Sequence, residues 1–251
     1  MEQTSARWLG HSTTLIRWNG LTIITDPVLG TKCGAALGPM QIGPTRLTPP
    51  AMTADQLPPI DLVLLSHAHF DHFDTPTLKK IQNRNTEVIT ARATADLLPQ
   101  KKWKNVTELG WGEDHRVDGL SVRALRVRHW GARWQTDRHR GFNGYLLEKD
   151  GQRIVFGGDT AYTDLFKEAR VRGPVDLAIM PIGAYNPWIG AHCTPEQAVR
   201  MAEDAGAERI LPVHHKTFRL SAEPFDEPVE RFRESAADRA TAGDVGDTVV
   251  F

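Results

Sequence analysis

The chain has 251 residues, 40% of them hydrophobic and 24% charged, with a formal net charge of −1. That length and apolar share support a full core, which excludes a disordered chain and a disulfide-held mini-scaffold. Balanced charge supplies no global field for nucleic acid or an anionic membrane surface.

Two cysteines far apart, Cys33 and Cys193, suit a reducing compartment. Apolar runs such as Leu62 to Leu65 fall far short of the roughly 18 residues that span a bilayer. The start, Met1-Glu2-Gln3-Thr4-Ser5, lacks a basic-then-apolar leader pattern. The expectation is a cytoplasmic chain with no transmembrane segment.

The first predicted element is a hairpin. Thr14 to Trp18 and Leu21 to Thr25 flank Asn19-Gly20, a pair that favours a type I′ turn. Asp26 to Pro50 is rich in Gly and Pro and reads as a long functional loop or wall, with a passive surface excursion as the alternative. Asp61 to Leu65 is a short apolar run, a buried strand. Thr75 is expected as N-cap, with Pro76 opening a helix to about Arg84. Glu87 to Thr90 reads as a strand, Thr94 to Leu98 as a short helix, and Leu120 to His129 as a strand ending in that histidine. Trp130 to Gly141 is a basic, aromatic loop.

A second hairpin, Tyr145 to Lys149 and Gln152 to Phe156, flanks Asp150-Gly151 and runs into Gly157-Gly158-Asp159, much as the first runs into Asp26. The spacing suggests two duplicated β-rich halves. Val175 to Met180 and Arg209 to Val213 read as strands. Thr194 and Gln197 stand in capping-box register for a helix that Gly206 ends. Glu227 to Ala240 reads as a charged amphipathic helix and Thr248 to Phe251 as a last strand. Hairpins followed by β-α units predict an α/β protein of two mixed sheets with helices outside, and no linker divides residues 1–251.

The chemistry centres on Ser66-His67-Ala68-His69-Phe70-Asp71-His72. His67 and His69 are two apart in extended chain and reach one point. Asp71 and His72 lie where the chain turns and reach a second point close by. Imidazole and carboxylate suit zinc, iron or manganese, so four such groups in six residues fit two adjacent ions. The alternative is a polar turn with solvated histidines.

His67-x-His69-x-Asp71-His72 resembles the signature of the metallo-β-lactamase fold superfamily. Further segments resemble one branch of it, the N-acylphosphatidylethanolamine phospholipase D group, and more loosely the L-ascorbate-6-phosphate lactonases. These are Trp8 to Thr13, Thr25-Asp26-Pro27, Gly157 to Thr160, Met180 to Tyr185 and Val213 to Phe218. The resemblance implies an αββα sandwich with a two-metal site between its sheets. It implies His67, His69 and His129 at one ion, Asp71, His72 and His214 at the other, and Asp159 bridging them. His214 and the adjacent His215 compete for one position, and the resemblance favours His214.

His192, in a His-x-x-Pro arrangement, is a candidate substrate-oxygen contact or proton donor; the alternative is a satisfied loop histidine. His11 is a candidate second-layer group, bonding Asp26 or a ligand, or else a buried histidine on backbone. Asp26 either orients a ligand or caps a turn. Trp130, Trp134, Tyr185 and Trp188 are candidates for an apolar substrate wall, with core packing as the alternative. Arg128, Arg133, Arg138 and Arg140 either hold a phosphate or form a solvated rim.

The functional expectation is a binuclear metal-dependent hydrolase with two divalent ions, zinc first and manganese or iron as alternatives. A hydroxide attacks a phosphodiester, Asp71 orients it, and His192 protonates the leaving oxygen. The runner-up is a lactonase opening a sugar-phosphate lactone. A non-catalytic metal-binding protein is the reading from another class. The expected partner is a small or lipid-like substrate, not nucleic acid, and self-association is left open.

Overall fold

A computed structural model describes residues 3–38, 40–241 and 243–251. Met1 and Glu2, read above for a leader, and Pro39, inside the Gly/Pro-rich stretch, lie outside the described residues.

The chain opens with three antiparallel strands, β1 (Ser5–Gly10), β2 (Thr13–Trp18) and β3 (Leu21–Thr25). A separate small hairpin follows, β4 (Ala35–Leu37) and β5 (Met40–Ile42), and then β6 (Leu62–Leu64). Helix α1 (Thr75–Ile81), β7 (Glu87–Ala91) and β8 (Asn105–Leu109) complete the first half. The second half has β9 (Asp114–Val117), β10 (Leu120–Leu125), β11 (Gly144–Lys149) and β12 (Gln152–Phe156). It continues with α2 (Lys167–Val171), β13 (Val175–Pro181), α3 (Pro195–Ala205), β14 (Ala207–Val213), α4 (Glu227–Ala236) and β15 (Thr248–Val250).

One sheet has the order β15-β1-β2-β3-β6-β7-β8 and the other β14-β13-β12-β11-β10-β9. Both mix pairings in the same way. β2 and β3 are antiparallel and continue into parallel β6 and β7; β11 and β12 are antiparallel and continue into parallel β13 and β14. That shared order matches the duplication suggested by the two hairpins. Both hairpin turns have positive φ at their two central residues, Asn19 (44°) with Gly20 (85°) and Asp150 (51°) with Gly151 (82°). Type I′ turns need that conformation.

Alternation along the strands builds the layers. Trp8, Ile16, Ile23, Leu64, Leu147, Phe156, Ile179 and Leu211 face inward and form the core between the sheets. Their neighbours point outward. Ile24, Val63 and Val88 pack with Phe73 and Leu78 under α1. Leu146, Val155, Ala178 and Ile210 pack with Phe166, Ala198, Met201 and Phe232 under α2, α3 and α4. The result is an αββα sandwich. No helix among the described residues is long and apolar enough to cross a membrane.

Several boundaries differ from expectation. Asp74, not Thr75, caps α1: its side chain accepts from Thr77 N, so Thr75 opens the helix and Pro76 comes second. The helix stops at Ile81. β10 ends at Leu125, so His129 stands in the loop beyond the strand. α4 breaks at Ala237, whose φ is 47°, and only a short turn continues it. Strands β1, β8 and β9 and the small β4–β5 hairpin were not read from the sequence. The capping box of Thr194 and Gln197 and the left-handed Gly206 (φ 79°) bound α3 as expected.

Candidate metal centre

Parallel strands end in backbone groups that point out of the sheet, and loops at those carboxyl ends are the usual place for a site. Here both sheets bring such ends together. Asp26 follows β3 and the His67–His72 segment follows β6. Asp159 follows β12 and His214 follows β14. His11 sits in the turn between β1 and β2. His11 (φ 51°), Asp26 (φ 33°) and His214 (φ 64°) are all left-handed, an uncommon conformation for residues other than glycine. Strain of that kind clusters at functional sites. Gly158 (φ 57°) shows why a glycine precedes Asp159: a Cβ there would meet Asn143 O at 2.7 Å and Ser66 Cβ at 3.0 Å.

Three imidazoles form a first group. His67 Nε2 lies 2.9 Å from His69 Nδ1, which lies 3.2 Å from His129 Nε2. Their other contacts assign the protons. Ser66 Oγ gives its one proton to Asp26 Oδ2 (2.5 Å), so it accepts from His67 Nδ1 (2.9 Å). His129 Nδ1 donates to Ala191 O (2.9 Å). Bare lone pairs of His67 and His129 therefore face His69. Burial holds all three histidines neutral: His67 well below its usual value, His69 at about 4 and His129 at about 3.

A second group lies alongside. His72 Nδ1 donates to Asp26 Oδ2 (2.7 Å), which leaves its Nε2 3.1 Å from Asp159 Oδ2 and 3.5 Å from Asp71 Oδ2. His214 Nε2 lies 3.2 Å from Asp159 Oδ2 and 3.4 Å from Asp71 Oδ2. His11 Nε2 donates to Asp71 Oδ2 (2.9 Å). Asp159 Oδ2 also lies 3.8 Å from His129 Nε2 and 3.7 Å from His192 Nδ1, so it stands between the groups.

Burial acts against charge on both carboxyls, but the facing histidines outweigh it and hold Asp71 and Asp159 well below the usual range. For His72, burial pushes downward and Asp159 with Asp71 pushes upward more strongly, so it is raised. His214, balanced in the same way, is raised to about 9.

The site fits cations on its own terms. His72 Nε2, Asp159 Oδ1, both ring nitrogens of His214 and His192 Nδ1 are buried without a hydrogen bond. Buried polar atoms are ordinarily satisfied. Here they fall among four overlapping groups whose ligand atoms lie close together: His11 with Asp71, His72 and His214; His67 with His69 and His129; His67 with His72 and Asp26; and His129 with Asp159 and His192.

The remaining candidates sort clearly. Asp26 orients His72 directly and reaches His67 through Ser66, a residue that sequence reasoning passed over although it precedes the motif. His11 bonds Asp71 and not Asp26. His215 turns away and stacks on Trp8, with ring centroids 4.5 Å apart. Cys193 is buried with its thiol on Pro181 O. Trp130 stacks on His129 at 4.5 Å and meets His69 at 4.8 Å.

A cavity of about 470 Å³ opens beside His69 and Asp71, lined by Cys33, Ile42, Phe70, Trp130, Trp134 and Leu220 among others. The Asp26 to Pro50 stretch thus forms one wall. Tyr185 belongs elsewhere: it is buried, and its hydroxyl donates to Glu227 (2.7 Å) beside Arg231. Trp188 is exposed, and its carbonyl accepts from His192 N (3.0 Å), so it places His192 and does not line that cavity. Arg140 is committed to Asp137 and Asp96, which removes it as a phosphate holder.

Comparison with known proteins agrees with the fold. Residues 22–215 match the model of the beta-lactamase superfamily domain. An uncharacterized protein of Mycobacterium tuberculosis is 36% identical over 91% of this chain, which spans 63% of that protein's length. An N-acyl-phosphatidylethanolamine-hydrolyzing phospholipase D of Caenorhabditis elegans is 33% identical over 91% of this chain and 68% of its own. Among solved structures, an isothiocyanate hydrolase from Delia radicum gut bacteria superposes with a TM-score of 0.77 over 98% of each chain, at 18% identity. That likeness concerns the fold.

Proposed function

The chain belongs to the beta-lactamase superfamily, and on that premise we propose that it is a metal-dependent hydrolase of phosphodiesters bearing an apolar arm. One observation carries the reading: two clusters of buried, inward-facing imidazoles and carboxylates lie on either side of Asp159 Oδ2, which is within 3.8 Å of His129, 3.1 Å of His72 and 3.2 Å of His214, and they adjoin an apolar cavity. His67, His69 and His129 would hold one ion and Asp71, His72 and His214 a second, with Asp159 placed to serve either. Zinc suits this nitrogen and oxygen set, with manganese and iron as alternatives. When bound, such a pair lowers the pKa of water and offsets charge that develops on the substrate.

The chain's own residues do the rest. Asp71, with Oδ2 fixed by His11, accepts a hydrogen bond from the attacking water and orients it. His192 is largely buried, which lowers its pKa in the free protein, and its Nδ1 has no hydrogen bond; the negative charge of a bound diester favours the imidazolium, which delivers a proton to the leaving oxygen. Cys33, Ile42, Phe70 and the two tryptophans take the acyl or aryl arm and exclude water. The name of the Caenorhabditis elegans relative points to the same substrate class.

Elemental analysis of untreated protein, followed by turnover of diester, lactone, thioester and lactam substrates, tests the reading. The expected result is close to two ions per chain and the highest kcat/KM on diesters with an acyl or aryl arm. Lactone turnover that clearly outruns every diester overturns the substrate class.

A further inference from the structure

The Trp130 to Gly141 loop supplies a guanidinium that the mechanism above does not use. Arg133 is half-buried. Its Nη1 donates to Ala68 O and to Phe73 O, each at 2.9 Å, and so grips the backbone on both sides of the His69–His72 turn. The guanidinium lies 4.0 Å over the Phe70 ring. These contacts occupy one of three nitrogens; Nε and Nη2 make no hydrogen bond among the described residues.

No carboxylate among the described residues pairs with Arg133, and the nearby ones are taken. Asp137 accepts from Arg140 Nε (2.6 Å) and Trp134 N (2.7 Å), and Asp96 accepts from Arg140. Asp74 accepts from Gln41 and Thr77. Loss of water contact pulls Arg133 down to about 10. Asp74 and Asp137 attract Arg133 from a distance but form no ion pair with it; a half-buried cation left unpaired is unfavourable, and an anionic ligand relieves it.

Arg133 borders a second cavity of about 510 Å³, with Trp130, Trp134, Gln135 and Arg138. Arg138 is exposed and forms no ion pair among the described residues. Trp130 and Trp134 also line the apolar cavity, so the two cavities adjoin next to His69. Two guanidinium groups suit a dianion better than a single charge, and their forked donors match phosphate oxygens.

We propose that this second cavity is an anion subsite, in which Arg133 and Arg138 hold a phosphate monoester carried on the substrate beyond the bond that is cut. The proposal deepens the phosphodiesterase reading and rests on it for the word substrate. It implies a substrate with an apolar arm on one side of Trp130 and Trp134 and a second phosphate on the other.

The test uses the metal-loaded protein and two 4-nitrophenyl phosphodiesters that differ only at the end of one short arm, methyl or phosphonate. Wild-type protein should show a KM roughly tenfold lower for the phosphonate-ended ester. Arg138→Gln should bring the two KM values together. Arg133→Lys should do the same, because lysine keeps one nitrogen for Ala68 and Phe73 and loses the remaining donors. Equal KM values in wild type, or a preference that survives both substitutions, overturns the subsite.

If neither ester is cleaved, the hydrolase reading has failed, and calorimetric titration with phenylphosphonate at matched ionic strength decides the subsite alone. Binding weakened about tenfold in both variants supports it. Identical binding in all three proteins, as expected for binding at the metals only, overturns it.

Discussion

Asp26 and His72 are joined by a 2.7 Å hydrogen bond between one carboxylate oxygen and Nδ1, and both side chains are fully buried. The same oxygen accepts from Ser66 Oγ, which in turn accepts from His67 Nδ1. One carboxylate therefore fixes an imidazole in each donor cluster.

Replacing Asp26 should loosen both clusters at once. Asp26→Asn is expected to lower metal affinity by about 10–100-fold, the usual effect of removing a group that orients a ligand. Ser66→Ala should weaken only the cluster containing His67. Competition with a chelator, followed for each bound ion, checks this. Unchanged affinity in Asp26→Asn contradicts it.

The adjacent histidines after β14 should separate by readout. His214→Ala is expected to lose metal. His215→Ala removes a ring stacked on Trp8 and should cost roughly 2–4 kcal/mol of stability, in the range of other large-to-small core changes. Its metal content should stay near wild type. Elemental analysis alongside thermal denaturation checks both, and metal loss in His215→Ala would move the ligand assignment.

His192→Gln should lower kcat by about 10²–10⁴-fold on esters with poor leaving groups, the range for a lost general acid. The effect should shrink as the leaving group becomes more acidic, with metal content unchanged. Kinetics across a leaving-group series gives the slope. A loss of one ion in this variant would instead make His192 a ligand, since it also lies near His129 and Asp159.

Arg140 is buried and bonds Asp137, Asp96 and Ala93 O. Arg140→Met should cost roughly 1–3 kcal/mol, less than a fully buried pair because Asp96 is largely exposed. Hydrogen bonds from Arg140 hold the Asp96 carboxyl below its usual range. A lowered carboxyl pKa stabilises the fold above the unfolded value, about 3.9, and the contribution fades as pH falls through the folded one. The gap between variant and wild type, followed by urea denaturation against pH, should narrow below about pH 4.

Local patterns were legible in the chain. The two hairpins, the α3 capping box and the His67–His72 segment each rest on residues within a few positions of one another. What was hidden depends on distant contacts. Asp74 outcompetes Thr75 as cap because its other oxygen is held by Gln41, which comes from β5. Tyr185 looked like substrate wall until Glu227, 42 residues away, claimed its hydroxyl. The four arginines around the loop looked alike, yet Arg140 and Arg133 have tertiary partners that spacing does not reveal. β8 and β9 escaped because both carry mixed polar and apolar residues, with only Leu109 and Val117 fully buried.

The donor set is divided between the sheets: His11, Asp71 and His72 come from the first, and His129, Asp159 and His214 from the second. An ion held by both would work as a clasp across the sandwich. By mass action, an ion present at a thousand times its dissociation constant would add about 4 kcal/mol to the folded state. Resistance to unfolding would then follow the free-ion concentration of the surroundings, and starvation for the ion would loosen the joint between the sheets before it loosened either sheet.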